Sequence, residues 1–230
     1  QRIIMRRFLF ILLLIGSINN SRAATIYWDN SDGDGQWNTA TNWFGDVVPG
    51  AGDDVILDNT YFASSYVVTL PAGTVTVSVN SLTIIPAAAF GITLSLPSGN
   101  TGDPGFTATG TGDDIVLNDQ AACFDSSGAI SGTGVELTMT NVFIINNGGR
   151  YIHNTERGHT TKLVERLSSV AGTENGSFEF DVPGGGSYLV SASGRIYGNL
   201  VFTASASGTI TYLSTGTNPL TINGNFYVGS

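Results

Sequence analysis

Gly132-Thr133-Gly134-Val135-Glu136-Leu137-Thr138-Met139-Thr140-Asn141 and Asn218-Pro219-Leu220-Thr221-Ile222-Asn223-Gly224-Asn225-Phe226 decide the reading of the fold. Each alternates apolar and polar residues, runs into a corner of small or amide residues, and resumes at once. Alternation with period two marks a half-buried strand. Immediate resumption suits a parallel β-solenoid, in which each corner passes the chain to the next face of the same coil. The same signal recurs along the chain. It predicts strands at Tyr66–Leu70, Thr74–Val79, Leu82–Ile85, Ile92–Leu96, Asp114–Leu117, Val135–Met139 and Val142–Ile145. Further strands are predicted at Phe178–Val182, Tyr188–Ala192, Leu200–Thr203, Thr209–Leu213 and Leu220–Val228. The expected class is all-β, a parallel β-solenoid, with a β-sandwich as the alternative because short, evenly spaced strands fit both. The repeat length is irregular and yields no consensus. One segment departs from the pattern. Leu163, Leu167 and Val170 fall at i, i+4 and i+7 between Thr160 and Gly172, which predicts a short helix over 160–171.

Composition narrows the function. The chain has 230 residues, 30 of them Gly, with only 12% charged. Gly, Thr, Ser and Asn dominate, and these are poor in helix interiors. A formal net charge of −9 makes the chain a poor nucleic-acid binder. A single Cys, Cys123, leaves no disulfide framework and reads as a buried small hydrophobe.

The first residues read as an address. Met5-Arg6-Arg7, the apolar run Phe8–Gly16 and the small residues of Ser21-Arg22-Ala23 make a secretory signal peptide, so that 1–23 is expected to be a signal peptide with Gln1–Ile4 as an upstream extension. The apolar run is too short to span a bilayer, so no membrane span is expected after cleavage. Residues 24–60, rich in aromatics, Asp and Asn, are expected to cap the first turn of a solenoid that occupies 61–230. The final residues stop inside a strand-like pattern, so the chain is expected to be the beginning of a longer protein.

Four groups of residues could carry chemistry. Trp28, Trp37 and Trp43 could stack on sugars, but burial as a cap is favoured, because the open end of a solenoid must be covered. Asn30, Asp32 and Asp34 space oxygens as in the first half of a calcium loop. Thr41 stands where the bidentate Glu would be needed, so a polar turn is the better reading and calcium is the only cofactor suggested. The segment from His153 to His159 reads as a polar loop, since its two His lack the spacing of a zinc site. Asp53-Asp54 and Asp113-Asp114 each follow a Gly and precede an apolar run. They are expected to start strands of one kind by accepting backbone hydrogen bonds. No catalytic residue is assigned.

The opening pattern Trp28…Trp37…Asn42-Trp43, Val48-Pro49-Gly50 and Asp53-Asp54-Val55 resembles the start of large secreted bacterial surface proteins. Gly149-Arg150-Tyr151-Ile152-His153-Asn154, Gly176-Ser177-Phe178-Glu179-Phe180 and Tyr197-Gly198-Asn199-Leu200 are similar to segments of proteins exported by type IX secretion. The resemblance implies a secreted or cell-surface, adhesin-like protein with a β-solenoid stalk, and it implies no reaction. The expected function is a non-catalytic structural or adhesive segment. Its partners would be a surface polysaccharide or another cell-surface protein. The alternatives are a polysaccharide-active β-helix enzyme and a carbohydrate-binding module.

Overall fold

The computed structural model describes residues 23–128, 136–158, 161–204 and 209–229. The expected leader therefore lies, but for Ala23, outside the described residues. The described chain is a stack of short parallel strands that coils through about seven turns with almost no helix. The solenoid expectation holds, and the sandwich alternative falls because every strand pairing is parallel.

A half-turn opens the stack with β1 (Thr25–Tyr27). The first full turn holds β2 (Asp54–Asp58), β3 (Tyr66–Thr69) and β4 (Val77–Val79). The second holds β5 (Ser81–Ile85), β6 (Ile92–Leu96) and β7 (Phe106–Ala108). The third holds β8 (Asp113–Leu117), β9 (Ala121–Asp125) and β10 (Leu137–Met139). The fourth holds β11 (Val142–Ile145), β12 (Arg150–His153) and helix α1 (Thr161–Val164). The fifth holds β13 (Ser177–Phe180) and β14 (Gly186–Leu189). The sixth holds β15 (Ile196–Tyr197), β16 (Asn199–Phe202) and β17 (Ile210–Leu213). The last holds β18 (Thr221–Ile222) and β19 (Phe226–Val228). One face is the sheet β1-β2-β5-β8-β11, a second is β3-β6-β9-β12-β13-β16-β19, and a third begins as β4-β7-β10.

The turns differ in length. Ser177 pairs with Asn199, 22 residues on, whereas Leu82 pairs with Ile115, 33 residues on. That variation, absorbed at the corners, is why no consensus repeat can be written.

Alternation sends every second side chain inward. Along the second face one inward column reads Val68, Leu94, Cys123, Tyr151, Phe178, Leu200 and Phe226. Cys123 is buried as expected, and burial pushes its thiol pKa up. Corners are held by amide side chains passing hydrogen bonds between turns. Asn146 Nδ2 donates to Asn118 Oδ1 at 2.9 Å, Asn175 N to Asn147 Oδ1 at 2.9 Å, and Asn225 N to Asn199 Oδ1 at 2.7 Å. Such ladders satisfy polar groups that the tight corners leave without backbone partners.

The helix is shorter than expected. It ends at Val164, and the backbone returns to strand-like pairing where Phe143 N donates to Arg166 O and Ser168 N to Phe143 O. Leu163 is buried, but Val170 is 66% exposed. An isolated short helix gains too little to persist against a neighbouring strand edge that offers backbone hydrogen bonds. No helix of the described residues is long and apolar enough to cross a membrane.

Candidate functional site

The three tryptophans lie in the interior. Trp28, Trp37 and Trp43 are at most 1% exposed. Trp43 meets Trp28 edge-on at 4.8 Å and Trp37 at 4.7 Å, and its Nε1 donates to Trp37 O at 2.7 Å. Trp37 reaches Phe106 of β7, two full turns into the stack. Residues 35–37 also lie along β3: Thr69 N donates to Gly35 O and Trp37 N to Thr69 O. The cap thus covers the free edge of the second face, where unpaired backbone groups would otherwise recruit another chain. Their ring faces are taken up by one another and by the first turns, leaving none to receive a sugar. Phe44 and Tyr61, stacked at 4.3 Å, are instead exposed.

Asn30, Asp32 and Asp34 form a polar turn centred on Asn42. Asp34 Oδ1 accepts from Gln36 N at 2.8 Å and Asn42 Nδ2 at 2.5 Å, and Asp34 Oδ2 accepts from Thr39 Oγ1 at 2.7 Å. Asn42 Oδ1 accepts from Asp32 N at 3.2 Å. The Asp34 carboxylate, offered to calcium by the sequence, is committed to these donors.

The strand-start carboxylates behave as a matched set. Asp53 Oδ2 accepts from Gly50 N at 2.9 Å. Asp54 Oδ1 accepts from Asn80 Nδ2 and Ser81 Oγ, both at 2.6 Å, one turn above. Two turns on from Asp54, Asp114 Oδ2 accepts from Asn141 N at 2.5 Å.

The unexpected site lies inside the coil. In the second inward column of the second face, Leu96, Asp125, His153, Phe180 and Phe202 occupy successive turns. Two polar residues therefore stand where the ladder is otherwise apolar, while Phe124 and Ile152 point outward beside them. Glu136, just before β10, reaches the same place from the third face. Asp125, Glu136 and His153 are all fully buried, and one ligand atom from each lies within 4.8 Å of the others.

Each member is held differently. Asp125 Oδ1 accepts from Ser127 N at 3.0 Å, and Tyr151 Oη donates to Asp125 Oδ2 at 3.2 Å. Tyr188 Oη donates to Arg157 O at 2.6 Å, so it accepts from Nε2–H of His153, 2.7 Å away. That bond turns Nδ1 of His153 toward Tyr151 Oη at 3.5 Å, Glu136 Oε1 at 3.8 Å and Asp125 Oδ2 at 3.9 Å. The two carboxylate separations exceed hydrogen-bond length. The Glu136 backbone is fixed, its O accepting from Gly105 N and Phe106 N, but among the described residues neither of its buried carboxylate oxygens has a hydrogen-bond partner. Burial, then the neighbouring Asp125, pushes the Glu136 pKa up to about 9, and burial also raises Asp125. Burial raises the Tyr151 phenol well above its ordinary value, so it stays a neutral donor. Arg157, fully buried too, donates from Nη2 to Gly102 O at 2.6 Å and tempers both acids.

His153 was expected in a polar loop; it ends a strand and faces inward. The signal that could have found it is the alternation of Ala121-Ala122-Cys123-Phe124-Asp125 and Arg150-Tyr151-Ile152-His153, which sends Cys123 and Tyr151 inward and so carries Asp125 and His153 inward as well.

The open surface offers a cleft along the upper turns, lined in part by Glu156, Ser187, Tyr188, Ser191 and Arg195. Arg195 is tied there to Glu165 at 2.9 Å and to Ser191 at 3.0 Å. Comparison with protein-family models, with curated proteins and with solved structures returns no match.

Proposed function

We propose that the chain is a non-catalytic structural or adhesive segment of a secreted, cell-surface protein, a stalk whose stacked turns hold a partner-binding region away from its anchor. One observation supports this best. The acids and the histidine that converge do so in the closed interior, while the carboxylates at strand starts are spent bracing one turn against the next. A polysaccharide-cleaving site needs paired acids open to a polymer, with room for water between them. A solenoid scaffold alone decides nothing, since one fold hosts many functions.

The test has two arms. The purified chain, incubated with a panel of neutral and acidic polysaccharides, is expected to release no new reducing ends. Expressed in a Gram-negative host, the exported chain is expected to begin at Ala24 when its N-terminus is sequenced. Cleavage of any one polysaccharide would replace the stalk by an enzyme. Retention of the uncleaved chain in the cytoplasm would remove the surface location.

A further inference from the structure

We propose that Asp125, Glu136 and His153 form a binding site for a divalent transition-metal ion of the zinc class, sealed between the third and fourth turns. Three observations converge on it. The three donors come from separate segments, β9, the residue before β10, and β12, yet meet beside one otherwise apolar column. Among the described residues the two buried carboxylate oxygens of Glu136 have no hydrogen-bond partner, a state proteins rarely tolerate without a ligand. The imidazole is already oriented: its Nε2–H is used on Tyr188, which aims Nδ1 at the two acids.

The ligand set selects the metal class. One imidazole nitrogen with two carboxylates suits zinc or its first-row neighbours, whereas calcium prefers an all-oxygen shell of six to eight ligands. Metal–ligand bonds of about 2.0–2.2 Å put tetrahedral donors roughly 3.3–3.6 Å apart. The 3.8 and 3.9 Å from His153 Nδ1 to the two acids lie a few tenths of an ångström outside that range, and all three donors lie within 4.8 Å, so side-chain rotation would have to draw them together on binding. A second layer is in place as well. Tyr151 donates to Asp125 and Tyr188 fixes His153, as orienting partners do around metal ligands. Charge is compatible too. A bound divalent ion would displace the proton that burial holds on Glu136, and the carboxylates of Glu136 and Asp125 would then offset its charge. The ion would tie the second face to the third and one turn to the next.

Because the site is sealed, loading is tested by refolding. The chain is unfolded in denaturant with chelator, refolded with zinc or cobalt(II), desalted, and its metal content measured. About one metal per chain is expected, with the cobalt form showing visible absorption bands of a low-symmetry site. Glu136→Gln and His153→Gln are expected to lower retained metal by about tenfold or more. If a variant fails to refold, the wild-type cobalt spectrum decides alone. A refolded wild-type chain retaining no metal overturns the proposal. So does a variant that keeps as much metal as wild type, which would place the ion on the acidic surface.

Discussion

Asp34 shows how one side chain can organise a whole segment. Its carboxylate gathers Gln36 N, Thr39 Oγ1 and Asn42 Nδ2, and Asn42 in turn holds Asp32. The Gln36 backbone N–H and then the Thr39 hydroxyl hold its pKa below the ordinary value of 3.8. A depressed carboxylate favours the folded state above its unfolded pKa, and that contribution is lost as pH falls through the lower folded value. Melting temperature is therefore expected to drop as pH falls below about 3.8, and the Asp34→Asn variant should show a shallower acid limb than wild type. Parallel acid limbs in a thermal-melt series from pH 6 to 2 would mean that Asp34 contributes nothing through its charge. The turn chemistry here was legible from Asn, Asp and Gly. The role of Asn42 as its hub was not, because nothing local says which amide faces the interior.

At the scale of elements, glycine does what the irregular repeat conceals. Gly149, Gly176 and Gly198 each precede a second-face strand and fall in register, since Arg150, Ser177 and Asn199 pair in sequence. A Cβ on Gly176 would collide with the carbonyl of Ile145, and one on Gly198 with the carbonyls of Thr173 and Gly176. The obstacle is backbone, which cannot swing aside. Gly176→Ala is expected to cost about 1–3 kcal/mol. Gly112→Ala, where an added Cβ meets nothing within 4 Å, should lie within about 0.5 kcal/mol of wild type. Urea titration of both variants checks the contrast, and equal midpoints would sink it. Strands with apolar inward positions, such as β5, β6 and β11, were readable from alternation alone. Strands β9 and β12 escaped because polar Asp125 and His153 occupy inward positions beside outward Phe124 and Ile152, inverting the usual pattern. The buried site thus hid itself and its two strands together. The helix was overread for the opposite reason: Leu163, Leu167 and Val170 had helical spacing, but pairing with β11 offered the backbone a better outcome.

On the scale of the whole molecule, each strand pairs only with strands of adjacent turns, so stability is expected to behave largely as a sum of turns and the interfaces between them. At about 4.8 Å per turn, seven turns make a coil roughly 34 Å long. The tryptophan cap then matters in a graded way. Trp43 is fully buried between Trp28 and Trp37, and Trp37 carries the contact on to Phe106. Trp43→Ala removes a large side chain from a packed site, an expected loss of about 3–5 kcal/mol. In a compact globule that loss would raise amide exchange everywhere through global unfolding. In a stack it should act first on β1, β2 and β3, which the cap covers, and fade toward β11 and β12. Hydrogen-exchange mass spectrometry of wild type and variant separates the two cases. The expected result is faster exchange in peptides from 25–79, with protection in 142–153 close to wild type. Uniform acceleration along the chain would show that the turns unfold as a single unit and that nearest-neighbour coupling is not what sets this protein's stability.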